Sequence, residues 1–156
     1  MPTFRRTLAV IFLAGACAWS CAVALPEKNG AAKHLAQAGL YLDLENSGNL
    51  RLAISQCREA LATSGAPEST IDEIRGLFFS AAERYYKQGN YVRESVCYLA
   101  YIENIDHDNS QAYLRLAQSY VRMGNTTGGL ACAKKAYELN PGNKEIINLM
   151  RDLDPL

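Results

Sequence analysis

The side chains best suited to chemistry in this sequence are its two histidines and a few cysteines. His107 lies between Asp106 and Asp108, and such a run offers groups that ligate metal ions. A zinc site needs about four ligands, however, and no second histidine or cysteine lies at ligand spacing from His107. His34 is distant in sequence. We therefore expect a solvated turn at His107, with no bound metal and no other cofactor.

Three cysteines beyond residue 24 are candidates for a disulfide or a reactive thiol: Cys57, Cys97 and Cys132. A disulfide needs Cα atoms within about 7 Å of each other, whereas neighbouring packed helices are about 10 Å apart. A reactive thiol needs nearby charge that lowers its pKa, and Cys132 has only Ala131 and Ala133 beside it. The sequence therefore predicts buried free thiols.

No catalytic motif is present elsewhere. Residues 124–129 are rich in glycine like a phosphate-binding loop, but Leu130 follows where that loop has lysine, and no strand precedes it. No pairing of a nucleophile with a base can be recognised, so we expect no enzyme activity. Lys+Arg and Asp+Glu number 16 each, so the charge balance gives no indication of nucleic-acid binding.

Residues 1–24 have the three parts of a secretory signal peptide. Two arginines precede an uncharged run from Leu8 to Trp19, and Ala22-Val23-Ala24 then supplies a cleavage sequence. Twelve helical residues span about 18 Å, which is short of the roughly 30 Å core of a bilayer. We expect export to the periplasm or the cell exterior.

Lipidation of a cysteine in this stretch is the alternative. Cys17 follows Leu13-Ala14-Gly15-Ala16, which resembles a bacterial lipobox with its aliphatic residue one position early. Cys21 matches that pattern less well. A lipidated cysteine would make the protein a membrane-anchored lipoprotein.

The rest of the chain has an internal repeat. Apolar residues recur at the spacing of a helix face. Gly48-Asn49, Gly89-Asn90 and Gly124-Asn125 interrupt this pattern at spacings of 41 and 35 residues. Glycine can take the left-handed conformation that ends a helix, and asparagine suits the turn into the next one. These features predict an all-α fold of helical hairpins.

The third unit has the clearest pattern. Its predicted inward residues on the first helix are Tyr113, Leu116, Ala117 and Tyr120. Those on the second helix are Gly129, Ala133, Ala136 and Tyr137, and Pro141 lies in the closing turn. This order of aromatic, leucine, small residue and tyrosine, followed by small residues and proline, resembles the tetratricopeptide repeat. The resemblance implies three antiparallel hairpins and a capping helix, stacked as a right-handed α-solenoid that serves as a scaffold.

The first two units match less completely. The predicted inward residues of the second unit are Phe78, Ala81, Ala82 and Tyr85, followed by Ser95, Leu99 and Ile102. This register includes a one-residue slip that keeps Glu94 out of the core, because burying a carboxylate is unfavourable. Its first helix is predicted over about 71–88, with Thr70 as cap. In the first unit the inward residues are Leu40, Leu44, Ala53, Cys57 and Ala60.

The predicted boundaries follow from these units. A signal peptide over 1–24 and an N-terminal segment over 25–33 precede a repeat domain over 34–153. The repeats cover about 34–66, 70–108 and 110–143, and the capping helix covers 144–153.

The resemblance implies a concave face lined by the first helix of each hairpin. We expect its exposed stripe one residue beyond each core position, which adds Ala38, Leu42 and Glu45 from the first unit. The predicted peptide-binding groove and its rim comprise Phe79, Glu83, Tyr86, Lys87, Leu114, Arg115, Gln118, Val121 and Arg122. The occupant is predicted to be a protein or peptide segment with apolar anchors and some acidic character. Residues 25–34 or a second copy of the chain, giving a homodimer, are alternative occupants.

Some members of the family hold a C-terminal carboxylate with a set of Lys, Asn and Arg side chains. The matching positions here are Ala38, Leu42, Ser80, Gln111 and Arg115, of which only Arg115 fits. We therefore expect no binding to chaperone C-terminal tails.

The signal-peptide pattern predicts that the mature protein begins at Leu25. The intact mass of protein purified from the exporting cell should lack residues 1–24. Retention of those residues, or a diacylglycerol adduct on Cys17, would contradict this prediction.

Overall fold

The computed structural model describes residues 28–43, 47–65 and 67–154. The predicted signal peptide, Cys17 and Cys21 lie outside these residues. The described residues form seven helices, namely α1 (Lys28–Asp43), α2 (Ser47–Thr63), α3 (Pro67–Lys87), α4 (Tyr91–Asn104), α5 (Ser110–Arg122), α6 (Thr126–Leu139) and α7 (Lys144–Leu153). None of these helices is both long enough and apolar enough to cross a membrane.

Consecutive helices pack in pairs, with α1 on α2, α3 on α4 and α5 on α6, and α7 then packs on α6. Short connections between packed helices make each pair an antiparallel hairpin. The all-α hairpin fold predicted from the sequence is therefore confirmed for the described residues.

The turns at Gly89 and Gly124 are built as the sequence predicts. Their φ angles are 71° and 78°, in the left-handed region that glycine occupies without strain. The following residues, Asn90 and Asn125, accept hydrogen bonds from the backbone N–H of Arg93 and Gly128 and so cap α4 and α6. The prediction for Gly48 is wrong, since α2 already begins at Ser47 and Gly48 lies within its first turn.

Two helices begin earlier than predicted. Helix α1 begins at Lys28, ahead of the predicted boundary at 34, and Ala31 in the added turn packs on the core. Helix α3 begins at Pro67 rather than near residue 71. Proline suits the first helical position, where its missing N–H would have no partner in any case. Thr70 is consequently a buried helix residue, within 2.5 Å of the Ser64 hydroxyl, rather than a cap.

Most predicted core positions are buried, and the burial of the small residues shows where paired helices cross. The buried predicted positions are Ala53, Cys57, Ala60, Phe78, Ala81, Ala82, Ser95, Ile102, Leu116, Ala117, Gly129, Ala133 and Ala136. Two are wrong, since Leu40 is 64% exposed and Tyr137 is 40% exposed. Helix α1 instead buries Leu35, Ala38 and Leu42, so its inward face is the one predicted to line the groove.

The crossing of α5 and α6 is close enough to require glycine. A Cβ atom at Gly129 would lie 2.8 Å from Cγ2 of Val121 and 3.2 Å from the carbonyl oxygen of Ala117. Ala117 itself is fully buried. A larger side chain at either position would force the two helices apart.

We therefore expect Ala117→Leu to lower the free energy of unfolding by roughly 1–3 kcal/mol. Ala131→Leu on the exposed face of α6 is the matched control and should change it by about 0.5 kcal/mol or less. Pro141→Ala lies in an exposed turn and should change the free energy of unfolding by about 1 kcal/mol or less. Thermal and denaturant melts that ranked Ala117→Leu as the mildest of the three would contradict the described packing.

Candidate functional site

The predicted groove is partly filled by the protein's own core. Leu114 is fully buried, so its prediction as an exposed groove residue is wrong. Ala136 of α6 and Ile146 of α7 cover it in a separate apolar cluster. The final helix therefore closes one end of the stripe, and a partner has no access to Leu114.

Phe79 is half-buried against α4 rather than free. Its ring makes edge-to-face contacts with Tyr98 and Tyr101, with ring centroids 5.1 Å and 5.9 Å apart. Such contacts stabilise aromatic pairs beyond the area they bury. Phe79 therefore helps to hold α3 on α4, and only part of its surface is available to a partner.

Three side chains form an exposed cluster where the ends of α3 and α5 meet the start of α4. The Arg122 guanidinium lies 4.5 Å from the ring centroid of Tyr86 and 6.0 Å from that of Tyr91. The centroids of the two tyrosine rings are 6.1 Å apart. Tyr86 remains 44% exposed. We call Tyr86, Tyr91 and Arg122 the tyrosine–arginine cluster.

Glu94 lies behind this cluster and is only 3% exposed, contrary to the prediction that it avoids the core. Arg122 Nη1 donates a hydrogen bond to Glu94 Oε1 over 3.0 Å. The second oxygen, Oε2, is buried and has no hydrogen-bond partner among the described residues. Burial raises the pKa of Glu94, while Arg122, Ser119 and Arg115 oppose that shift.

The slipped register of α4 is confirmed at Ser95 and Ile102, which are buried, but Glu94 is buried as well because this helix is enclosed from two sides. Helix α4 packs on α3 within its hairpin and on α5 of the next hairpin. Its buried residues are consequently found on more than one face, and they are Glu94, Ser95, Cys97, Tyr98, Ala100, Tyr101 and Ile102. The arginine needed to accompany Glu94 comes from α5, which single-helix periodicity does not reveal.

The remaining predicted rim residues are engaged in local contacts. Lys87 and Glu83 form an exposed ion pair one helical turn apart, with Nζ and Oε1 separated by 2.9 Å. Arg115 Nη1 donates to Gln118 Oε1, and Gln118 Nε2 donates to Glu145 of α7. Val121 is half-buried near Gly129. Among the predicted residues, Tyr86 and Arg122 are thus the pair that meets in one exposed cluster.

A shallow cleft between α1 and α3 was not predicted from the sequence. It has a volume of about 410 Å³. Its lining residues are Leu35, Ala36, Glu73, Gly76, Leu77 and Ser80. The small residues of α3 in this set, Gly76 and Ser80, are the sequence signal that would have pointed to it.

The cysteines singled out for chemistry are free thiols, and His107 lies at the surface. Cys57 and Cys97 are buried free thiols, and burial raises the pKa of each to about 12. Cys132 is a half-buried free thiol whose pKa burial also raises. His107 is exposed in a turn. Among the described residues no group of His, Cys, Asp and Glu side chains could hold a metal ion.

At the level of sequence, no known protein family and no curated protein matches the chain. Solved structures of low sequence identity are similar to it. The chain resembles tetratricopeptide repeat domains. The first such domain of Spaghetti (RPAP3), bound to the HSP90 peptide SRMEEVD, is 14% identical with a TM-score of 0.47. That match covers 80% of this chain and 90% of that domain.

A second similar structure is the second such domain of human RPAP3, in complex with the HSP70 peptide SGPTIEEVD. It is 18% identical with a TM-score of 0.49 and covers 80% of this chain and 98% of that one.

The pairing of Glu94 with Arg122 predicts a coupled effect on stability. Arg122→Ala leaves the buried carboxylate without its donor and should lower the free energy of unfolding by about 1–3 kcal/mol. In the Glu94→Gln background, Arg122→Ala should lower the free energy of unfolding much less, because no buried charge remains. Equal losses in both backgrounds, measured by denaturant unfolding, would show that Arg122 acts through packing alone.

Glu94 also predicts a direction of pH dependence. Its pKa is raised in the folded protein from the ordinary value of 4.5, so the folded state binds the proton more tightly than the unfolded state does. Stability from this group is present below pH 4.5 and declines as pH rises toward the folded pKa. Wild type should therefore lose stability relative to Glu94→Gln as pH rises above 4.5. The opposite slope would mean that the attraction of Arg122 outweighs burial.

Proposed function

We propose that this protein is an exported protein-interaction module that holds a segment of another protein at the tyrosine–arginine cluster. The observation that carries the proposal is the exposed ring of Tyr86 beneath the Arg122 guanidinium. Tyrosine and arginine, together with tryptophan, are enriched at the energetic centres of protein interfaces. Tyrosine offers a large contact area and loses little conformational freedom on binding.

The cluster is fixed in position before any partner arrives. Glu94 holds Arg122 from inside the protein, and the ring of Tyr86 covers one face of its guanidinium. Only 31% of the Arg122 side chain is exposed. A partner that binds here does not have to order the arginine, which removes part of the entropic cost of binding.

The chemistry of the cluster favours a partner segment with an apolar anchor and a nearby acidic group. Tyr86 supplies the apolar contact, and the guanidinium retains donors besides Nη1 for a carboxylate or a carbonyl oxygen. A free C-terminal carboxylate held in the manner of the family is not proposed. Ala38 and Leu42 are buried where that mode needs polar side chains, and Arg115 already donates to Gln118.

The proposal assigns no reaction to the protein. Export rests on the signal-peptide pattern of residues 1–24. The second candidate is a membrane-anchored lipoprotein that serves as an assembly factor for an envelope complex, supported by the lipobox-like sequence before Cys17. A lipid adduct in the intact mass would favour that candidate over a free exported module. A second copy of the chain is the alternative occupant of the cluster.

We expect Tyr86→Ala to weaken binding to the partner by about 2 kcal/mol, or roughly 30-fold in Kd. The partner would be identified by crosslinking in the envelope of the exporting cell, and its Kd would be measured with purified components. Tyr137→Ala is the matched control, because Tyr137 is a similarly exposed tyrosine on α6. Phe79 is unsuitable for this test because its loss would also disturb the core.

A Kd unchanged by Tyr86→Ala, with an unchanged helical spectrum, would reject the cluster as the binding centre. Light scattering that showed a dimer disrupted by Tyr86→Ala would identify a second copy as the occupant.

A further inference from the structure

The cleft between α1 and α3 lies apart from the tyrosine–arginine cluster. Its volume of about 410 Å³ falls within the roughly 300–1,000 Å³ typical of ligand sites. Leu77 supplies apolar surface from α3, and the largely buried Leu35 of α1 forms the floor beneath it. Ala36 and Gly76 have small or no side chains, which leaves the cleft open. Glu73 and Ser80 are the polar side chains that reach the cleft.

Gly76 is difficult to explain without a partner. It lies in the interior of α3, where glycine is less favourable than alanine. Its φ angle is not in the left-handed region, so the backbone does not require glycine. A Cβ atom at this position would meet nothing within 4 Å, so packing among the described residues does not require it either. What glycine does provide is an open cleft wall that a ligand can approach closely.

Glu73 gives the cleft a negative charge. Its neighbour Asp72 pairs with Arg75, with Oδ1 and Nη2 2.8 Å apart. Glu73 is exposed and has no ion-pair partner among the described residues. The cleft therefore combines an apolar floor with one uncompensated carboxylate at its edge, which complements an apolar side chain next to a cation.

We propose that this cleft binds a partner segment in which an aliphatic side chain is followed closely by a lysine or arginine. The aliphatic group lies between Leu35 and Leu77 over Gly76, and the cation pairs with Glu73. This inference rests on the proposed function, to which it adds a second contact with the opposite charge preference.

The chain's own N-terminal segment is less suited to the cleft. After cleavage at the predicted site, only residues 25–27 precede α1, and three extended residues reach about 10 Å. Leu35 lies about 10 Å along the helix from Lys28. Those residues would therefore have to reverse direction fully and could not also fill the cleft.

The test uses the full chain as purified from the expressing cell and a random library of displayed 12-residue peptides. Enriched peptides are synthesised, and their affinities are measured for wild type, Gly76→Ala and Gly76→Leu. The leucine side chain fills the cleft from an exposed position where folding has room for it. Alanine is the smaller substitution at the same position, and it should raise the melting temperature slightly through its higher helix propensity.

We expect enriched peptides to carry an aliphatic residue beside Lys or Arg. Gly76→Leu should weaken their binding about 30-fold or more, as the loss of an anchor contact does. Glu73→Gln should weaken it by up to about 5-fold, and the loss should shrink at high salt. Gly76→Ala should weaken binding less than Gly76→Leu does, because a single methyl group obstructs the close approach of the partner only in part.

Two other results would overturn the inference. Peptides that lose affinity with Tyr86→Ala but not with Gly76→Leu would reject the cleft and leave the proposed function standing. A library that yields no binding peptide would count against both the cleft and the proposed function.

Discussion

The close approach of paired helices at small residues is the constraint on which this structure depends. Where α5 crosses α6, the Cβ position of Gly129 lies within 2.8 Å of Val121 and 3.2 Å of the backbone of Ala117. Contact at this range leaves little freedom for one helix to slide along the other. The end of α5 is thereby held in place, and Arg122 follows Val121 directly in the sequence. The exposed guanidinium thus owes its position to a glycine on the opposite helix.

The burial of the Glu94 carboxylate is unfavourable in itself, but it positions Arg122 at the protein surface. Removing a carboxylate from water costs several kcal/mol, and a single hydrogen bond to Arg122 recovers only part of this. The raised pKa of Glu94 expresses the same imbalance. The ion pair nevertheless has a structural role. It joins α4 of the second hairpin to α5 of the third and holds Arg122 against Tyr86.

Sequence patterns predicted the parts of the fold that depend on one hairpin. Ala117, Gly129 and Ala136 follow from helical spacing and residue size, and all three are buried. The failures at Leu114 and Glu94 involve contacts with helices outside their own hairpin. Leu114 is covered by α7, and Glu94 is paired by α5, so neither environment can be deduced from periodicity within its own helix.

Helix α3 contributes to both candidate surfaces, and its geometry limits any single partner that would use them together. Gly76 and Tyr86 are ten residues apart, which corresponds to about 15 Å along the helix and about 80° around it. An extended segment of about five residues covers 15 Å. It would have to cross the exposed face of α3, where Glu83 and Lys87 pair with each other and so present little net charge. A single peptide segment that occupied both surfaces would therefore place its basic residue near α1 and its acidic residue near Arg122. The order of these two residues in the peptide sequence then determines in which direction the peptide runs along α3.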